Sequence, residues 1–153
     1  MDPGNEFHVL YIGQFHEWKA IDILLRALEA NAALVWEAEL VGDGPEIGKL
    51  RQLYAAPEIE GRMKILGTLD YEFAMARLDA ADLLVLPSRY DGLGAVVNEA
   101  LMLGVPAICT DRCGAADLIR EPWLGSVVRA GSVSSLAEAV RMWIGHGKKT
   151  QAE

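Results

Sequence analysis

Glu99 stands in the stretch YDGLGAVVNEALMLGVP, residues 90–106, where the only other polar side chain after Asp91 is Asn98. An unpaired buried charge costs several kcal/mol, roughly, so this carboxylate either turns to water or is reserved for a partner that can hydrogen-bond it. Gly92 and Gly94 come just before the apolar run. Lacking a Cβ, they let the backbone approach a ligand closely, and the N–H groups at the start of a following helix would point at an anion such as a phosphate. With a rise of ~1.5 Å per residue, Glu99 falls roughly 7 Å along that helix, about the separation of a nucleotide's pyrophosphate from its ribose hydroxyls. The same spacing also suits a half-exposed helix residue behind an ordinary glycine turn. Lys19, in GQFHEWKA, carries an ammonium that could reach a diphosphate, or it is a solvated loop lysine. His16 in that loop is a residue type that can act as a general base but has no orienting partner in the sequence. Gly42, Asp43, Gly44 and Pro45 form a tight turn that by itself needs no function.

These residues share a position in the hydrophobic pattern. Short apolar runs alternate with longer stretches of helical period: FHVLYIG, then KAIDILLRALEAN, in which Ile21, Leu24, Leu25 and Leu28 fall on one face. LVWEAELVG reads as a strand, PEIGKLRQLYAA as a helix opened by Pro45, and MKILG as a strand. DYEFAMARLDAA reads as a helix with Asp70 as N-cap. DLLVLPS is a nearly unbroken apolar strand, a helix follows over about 94–104, and VPAIC is a further strand. SLAEAVRMWI reads as a last helix, with a capping box between Ser135 and Glu138 and a stripe through Leu136, Val140 and Trp143. Apolar strands without polar alternation are covered on both faces, so the pattern predicts a parallel sheet between two layers of helices. Ligands of such sheets bind beyond the carboxyl ends of the strands, where all the loops named above lie.

Composition narrows the function classes. The chain has 153 residues, 52% hydrophobic and 24% charged, which fits one globular domain. A net charge of −8 argues against nucleic acid and anionic membrane as partners, so any anion site must be built locally. Cys109 and Cys113 are spaced C-x3-C with no second pair and no nearby His, which reads as reduced thiols rather than a metal site. No stretch approaches the ~20 apolar residues of a membrane span, and MDPGNEF lacks the apolar region of a signal peptide. Residues 1–7 read as a leader or linker, 8–145 as the ligand-binding domain and 146–153 as a frayed tail.

Taken together, the loops resemble those of the C-terminal, donor-binding domain of the retaining nucleotide-sugar glycosyltransferases of group 1 (family 4). The likeness runs from about residue 8 to 144. Gly13-Gln14 through Lys19-Ala20 looks like the family's G-R…K-G loop, VGDGP at 41–45 like its V-G-x-G-P, and Pro87 through Pro106 like its P-S-x-x-E…G-x(4)-E-A…G-x-P segment. The resemblance implies an α/β, Rossmann-like three-layer domain with a parallel sheet, one half of a GT-B fold. It implies that Glu99 binds ribose hydroxyls, that Lys19 compensates the diphosphate charge, that the backbone at Gly94 and Ala95 meets the distal phosphate, and that Asp91 lies near the donor sugar. Asp91 and Lys19 are thus the expected catalytic groups. The implied donor site comprises Gly13, Gln14, Lys19, Gly42, Asp43, Gly44, Pro45, Ser88, Asp91, Gly92, Gly94, Ala95, Val96 and Glu99. Two positions depart from the pattern: Asp91 replaces a glutamate one methylene longer, and Gln14 replaces an arginine, leaving Lys19 more of the diphosphate's charge.

The implied reaction moves a sugar from a nucleoside diphosphate to an acceptor hydroxyl with retention and without an obligatory metal or other cofactor. The acceptor would be held by an N-terminal domain absent from this chain, so the fragment alone is expected to be inactive. YDGLGAVVNEAL and DRCGAADL resemble a bacterial subgroup linked to cell-surface polysaccharide synthesis, which implies a cytoplasmic protein, peripheral at the inner face of the membrane when whole. The alternative is a non-catalytic nucleotide-binding or regulatory doubly wound domain. The clustered acids of a phosphoacceptor receiver and the G-x-G-x-x-G of a dinucleotide fold are both missing.

Overall fold

The computed structural model describes residues 6–149. Six strands form one parallel sheet: β1 (Phe7–Ile12), β2 (Trp36–Val41), β3 (Met63–Gly67), β4 (Leu83–Leu86), β5 (Ala107–Thr110) and β6 (Gly125–Val128), in the order β3-β2-β1-β4-β5-β6. Between them run α1 (Ile21–Ala30), α2 (Ile47–Tyr54), α3 (Tyr71–Ala80) and α4 (Ala95–Met102), and α5 (Val133–His146) closes the described chain. From β1 the chain steps outward to β2 and β3, then returns across to β4 and steps the opposite way. Right-handed crossovers therefore put α1 and α2 on one face and α3 and α4 on the other, and α5 packs against α1. All four residues of both β4 and β5 are buried, as the unbroken apolar runs require.

The expected three-layer α/β architecture is present, with differences at the edges of its elements. β6 is an additional strand. Its four residues, GSVV, form the sheet's edge with Val127 exposed, too short and too one-sided to stand out as an apolar run. The last helix starts earlier than its sequence suggests: Ser132 is the cap, its Oγ accepting from Ser135 N at 3.1 Å. Ser135 lies in the first turn instead, its Oγ accepting from Arg129 N at 3.2 Å. α2 begins at Ile47, after a turn through Pro45, and Asp70 occupies the N-cap position of α3 without a side-chain capping bond.

Residues 1–5 and 150–153 lie outside the described residues, and Phe7, expected in the leader, opens β1. The described part of the expected tail, 146–149, is held rather than frayed, because a buried carboxylate needs donors. Asp82 accepts from Lys148 Nζ at 3.0 Å, Lys149 N at 2.8 Å and His8 N at 2.9 Å.

Candidate functional site

β1 and β4 are neighbours from which the chain departs in opposite directions. Their following loops separate and leave a crevice at the carboxyl ends of the strands. The β1 loop is seated on the β2 loop, with Gly13 N donating to Val41 O at 3.0 Å and Phe15 N to Asp43 O at 2.9 Å. A Cβ on Gly42 would lie 1.8 Å from Gly13 O, so only glycine permits this contact of backbone on backbone. The Tyr11 phenol props the same loop from beneath, donating to Gln14 O at 2.7 Å. Burial, reinforced by the charge of Asp91, raises its pKa well above the ordinary phenol value.

A 3-10 turn, Glu17–Lys19, then leads into α1 through Ala20, whose φ of 55° makes it the one described non-glycine residue with positive φ. Arg89, after β4, binds the turn: its N donates to Trp18 O at 2.7 Å and its Nη1 to Glu17 O at 2.9 Å. The rings of Trp18 and His16 stack at 4.5 Å beside it.

Lys19 and Asp91 meet across the crevice, Nζ to Oδ2 at 2.8 Å. Oδ1 of Asp91 accepts from Gly94 N at 2.9 Å and Leu93 N at 3.3 Å, so one carboxylate serves both the lysine and the start of α4. Burial alone would raise the Asp91 carboxyl, but the Lys19 ammonium and the two N–H groups outweigh it and hold the carboxyl below its ordinary range. The Asp91 backbone is fixed by a parallel bridge to Cys113, with Gly114 N donating to Asp91 O at 2.7 Å. Gly94 caps α4 at φ 57° with Cys113 directly below; a Cβ there would approach Sγ to 2.5 Å. Cys109 and Cys113 are free and buried. Contact between their thiols lowers the Cys113 pKa and raises that of Cys109.

Glu99 lies one turn into α4 and is half-buried. Its Oε2 is closed off from solvent without a hydrogen-bond partner, and Ser88 Oγ, just after β4, is in the same condition. The Glu99 carboxylate raises the pKa of the Tyr71 phenol, at the first residue of α3.

Lys19, Asp91, Gly92 and Gly94 thus surround one crevice, with the first turn of α4, Ala95 and Val96, opening into it. Gly13, Gln14 and the Gly42–Pro45 turn form the adjoining wall. Lys19, expected to be free for an anion, is already matched by Asp91. Arg89, Tyr11, Cys113 and Tyr71 were not anticipated. Arg89 sits inside the PSRYDG loop, whereas the other three act from a strand, a later loop and a helix start that carry no local signal. Among the described residues no group of three or more His, Cys, Asp or Glu is placed to hold a metal ion, and no helix is long and apolar enough to cross a membrane.

The sequence profile of the family described as "Glycosyl transferases group 1" matches residues 2–152. An alpha-D-kanosaminyltransferase of Streptomyces kanamyceticus is 31% identical over 134 residues, which cover 86% of this chain and 35% of that protein. The structure of HepE from Anabaena in complex with UDP is 28% identical, with a TM-score of 0.81 over 92% of this chain and 40% of that one. The C-terminal domain of LpcC, a glycosyl transferase group 1 family protein of Francisella tularensis, shares the fold with a TM-score of 0.82 at 18% identity, over 91% of this chain and 75% of that one. The chain spans about a third of the length of the curated relatives it matches.

Proposed function

The chain belongs to the group 1 glycosyltransferases, and on that premise we propose that it is the donor-binding part of a retaining enzyme transferring sugar from a nucleoside diphosphate to an acceptor hydroxyl. The observation that carries this reading is the meeting of Lys19, Asp91 and the glycine-led start of α4 at the point where the sheet's strand order reverses.

The first turn of α4 offers N–H groups and a positive dipole end to the diphosphate. Glu99, further along the same helix, receives the ribose hydroxyls. Lys19 turns from Asp91 to the diphosphate and stabilises charge developing on the leaving group, an effect worth a few kcal/mol, roughly, at comparable sites. Asp91 is then left beside the donor sugar, still held by the N–H of Gly94. The Gly42–Pro45 turn frames the nucleotide. No step in this scheme calls for a metal. The acceptor, a hydroxyl of a bacterial cell-surface polysaccharide or glycoconjugate precursor, is bound by an N-terminal domain outside this chain, in a protein working at the inner face of the membrane.

The complex of HepE with UDP makes the uridine nucleotide the first ligand to test. Calorimetry of the chain with UDP, GDP and ADP should give binding to at least one, weakened by about 1–3 kcal/mol in Glu99→Ala. An absence of heat with all three, or an unaltered variant, would overturn the donor reading.

A further inference from the structure

The lysine on which the donor reading depends is carried by a turn that burial does not seat. None of the three residues Glu17–Lys19 is buried. Lys19 N donates to His16 O at 2.9 Å and Ala20 N to Glu17 O at 3.1 Å. These bonds give the turn its shape but not its place in the crevice. At its exit Ala20, with φ 55°, holds a conformation that a residue with a Cβ keeps only where its surroundings impose it.

Arg89, on the opposite wall two residues before Asp91, supplies the attachment. Its N donates to Trp18 O at 2.7 Å and its Nη1 to Glu17 O at 2.9 Å, while its Nη2 lies 3.8 Å from Oδ2 of Asp22 in the first turn of α1. The guanidinium therefore reaches the chain on both sides of Ala20. Its planar fork fixes a direction that a single ammonium would not. One residue thus ties the segment that carries Lys19 to the segment that carries Asp91.

We propose that Arg89 is a positioning residue for Lys19: it clamps the Glu17–Lys19 turn to the loop after β4 and so holds the Lys19 ammonium where it can meet Asp91 or a diphosphate. For the diphosphate the inference rests on the donor reading above; for the ion pair it rests on the geometry of the chain alone. Arg89 acts through the lysine and not on the ligand.

The first measurement needs no ligand. In Arg89→Met, which keeps the apolar stem and removes the donors, the Asp91 carboxyl followed by NMR should titrate at higher pH than in the unmodified chain, because Lys19 spends less time beside it. In a Lys19→Ala background the same substitution should leave the Asp91 titration where Lys19→Ala alone puts it. The second measurement is calorimetry with UDP, and with GDP and ADP should UDP not bind. Arg89→Met should bind the nucleotide about three- to tenfold more weakly, with no further loss in the Lys19→Ala background. An Asp91 titration unaltered by Arg89→Met would overturn the inference. So would an unchanged nucleotide affinity, or a loss that persists in full without Lys19, which would mean that Arg89 touches the ligand itself. Failure of the unmodified chain to bind any of the three nucleotides would overturn the donor reading and leave the Asp91 titration to decide this one. Should Arg89→Met melt well below the unmodified chain, Arg89→Lys, which keeps the charge and loses the fork, runs through the same cycle.

Discussion

Two aspartate–lysine pairs flank β4, Asp82 just before it and Asp91 just after, and they do opposite work. Asp82 is 4% exposed and satisfied by two backbone N–H groups as well as Lys148, so its lone pairs are committed to holding β1 and the end of the described chain together. Asp91 has the shorter ion pair, 2.8 Å against 3.0 Å, but it lies in an open crevice with both partners partly accessible, at 14% and 19%. Each carboxylate takes two backbone N–H groups and one lysine, but those N–H groups come from residues 74 and 67 positions away at Asp82, tying distant segments together, and from the turn that follows at Asp91, where Lys19 is the one distant partner. The difference lies in what surrounds the carboxylate rather than in its contact distance.

The comparison breaks most visibly at Asp82. Asp82→Ala strands the N–H groups of His8 and Lys149 and frees Lys148, and should cost about 3 kcal/mol, read as a lower urea midpoint with an unchanged slope. Nucleotide binding measured below the transition should persist.

Asp91→Asn should cost less, about 1–2 kcal/mol, and leave an acid signature. The folded Asp91 carboxyl lies below its ordinary value of 3.8, so its contribution is present above that pH and is lost as the pH falls through the lower folded value. Urea midpoints recorded down the acid range should fall less steeply in Asp91→Asn than in the unmodified chain; parallel slopes would refute a stabilising role for the ion pair.

The smallest effect sharpens the comparison from the other side of the crevice. Ala20 holds the left-handed conformation that costs a residue with a Cβ about 1–2 kcal/mol, directly after Lys19. Ala20→Gly should therefore raise stability by up to about 1 kcal/mol, part of the relief being offset by glycine's greater freedom when unfolded, and thermal melting would show it.

Much of this was legible from local pattern. Leu83 to Leu86 and Ala107 to Thr110 announce strands covered on both faces, and Ile21, Leu24, Leu25 and Leu28 announce the face of α1, because burial imposes those patterns residue by residue. Gly94 and Lys19 were legible as loop residues in the right order along the chain. That Lys19 would be neutralised by Asp91 was not, since the pair joins residues 72 apart. Nor was the role of Cys113, whose thiol fills the space beneath Gly94 from another loop. Ser135 misled because Ser132, three residues earlier, is an equally good cap; the choice between them rests on Arg129, which takes the Ser135 hydroxyl. Tyr71 reads as an ordinary helix start because Glu99, whose carboxylate raises its pKa, belongs to the next helix. The elements follow from neighbours in sequence and the crevice from neighbours in space.

The position of the two carboxylates has a consequence for the strand between them. Leu83, Leu84, Val85 and Leu86 are nearly interchangeable apolar side chains that would tolerate sliding by a residue or two against β1 and β5 with little loss of contact. Any such slip would pull Asp82 from the N–H of His8 and Asp91 from Lys19 in the same motion. The polar anchors at either end therefore supply the alignment that the greasy middle cannot, and the crevice keeps its shape because the strand leading into it has only one place to stop.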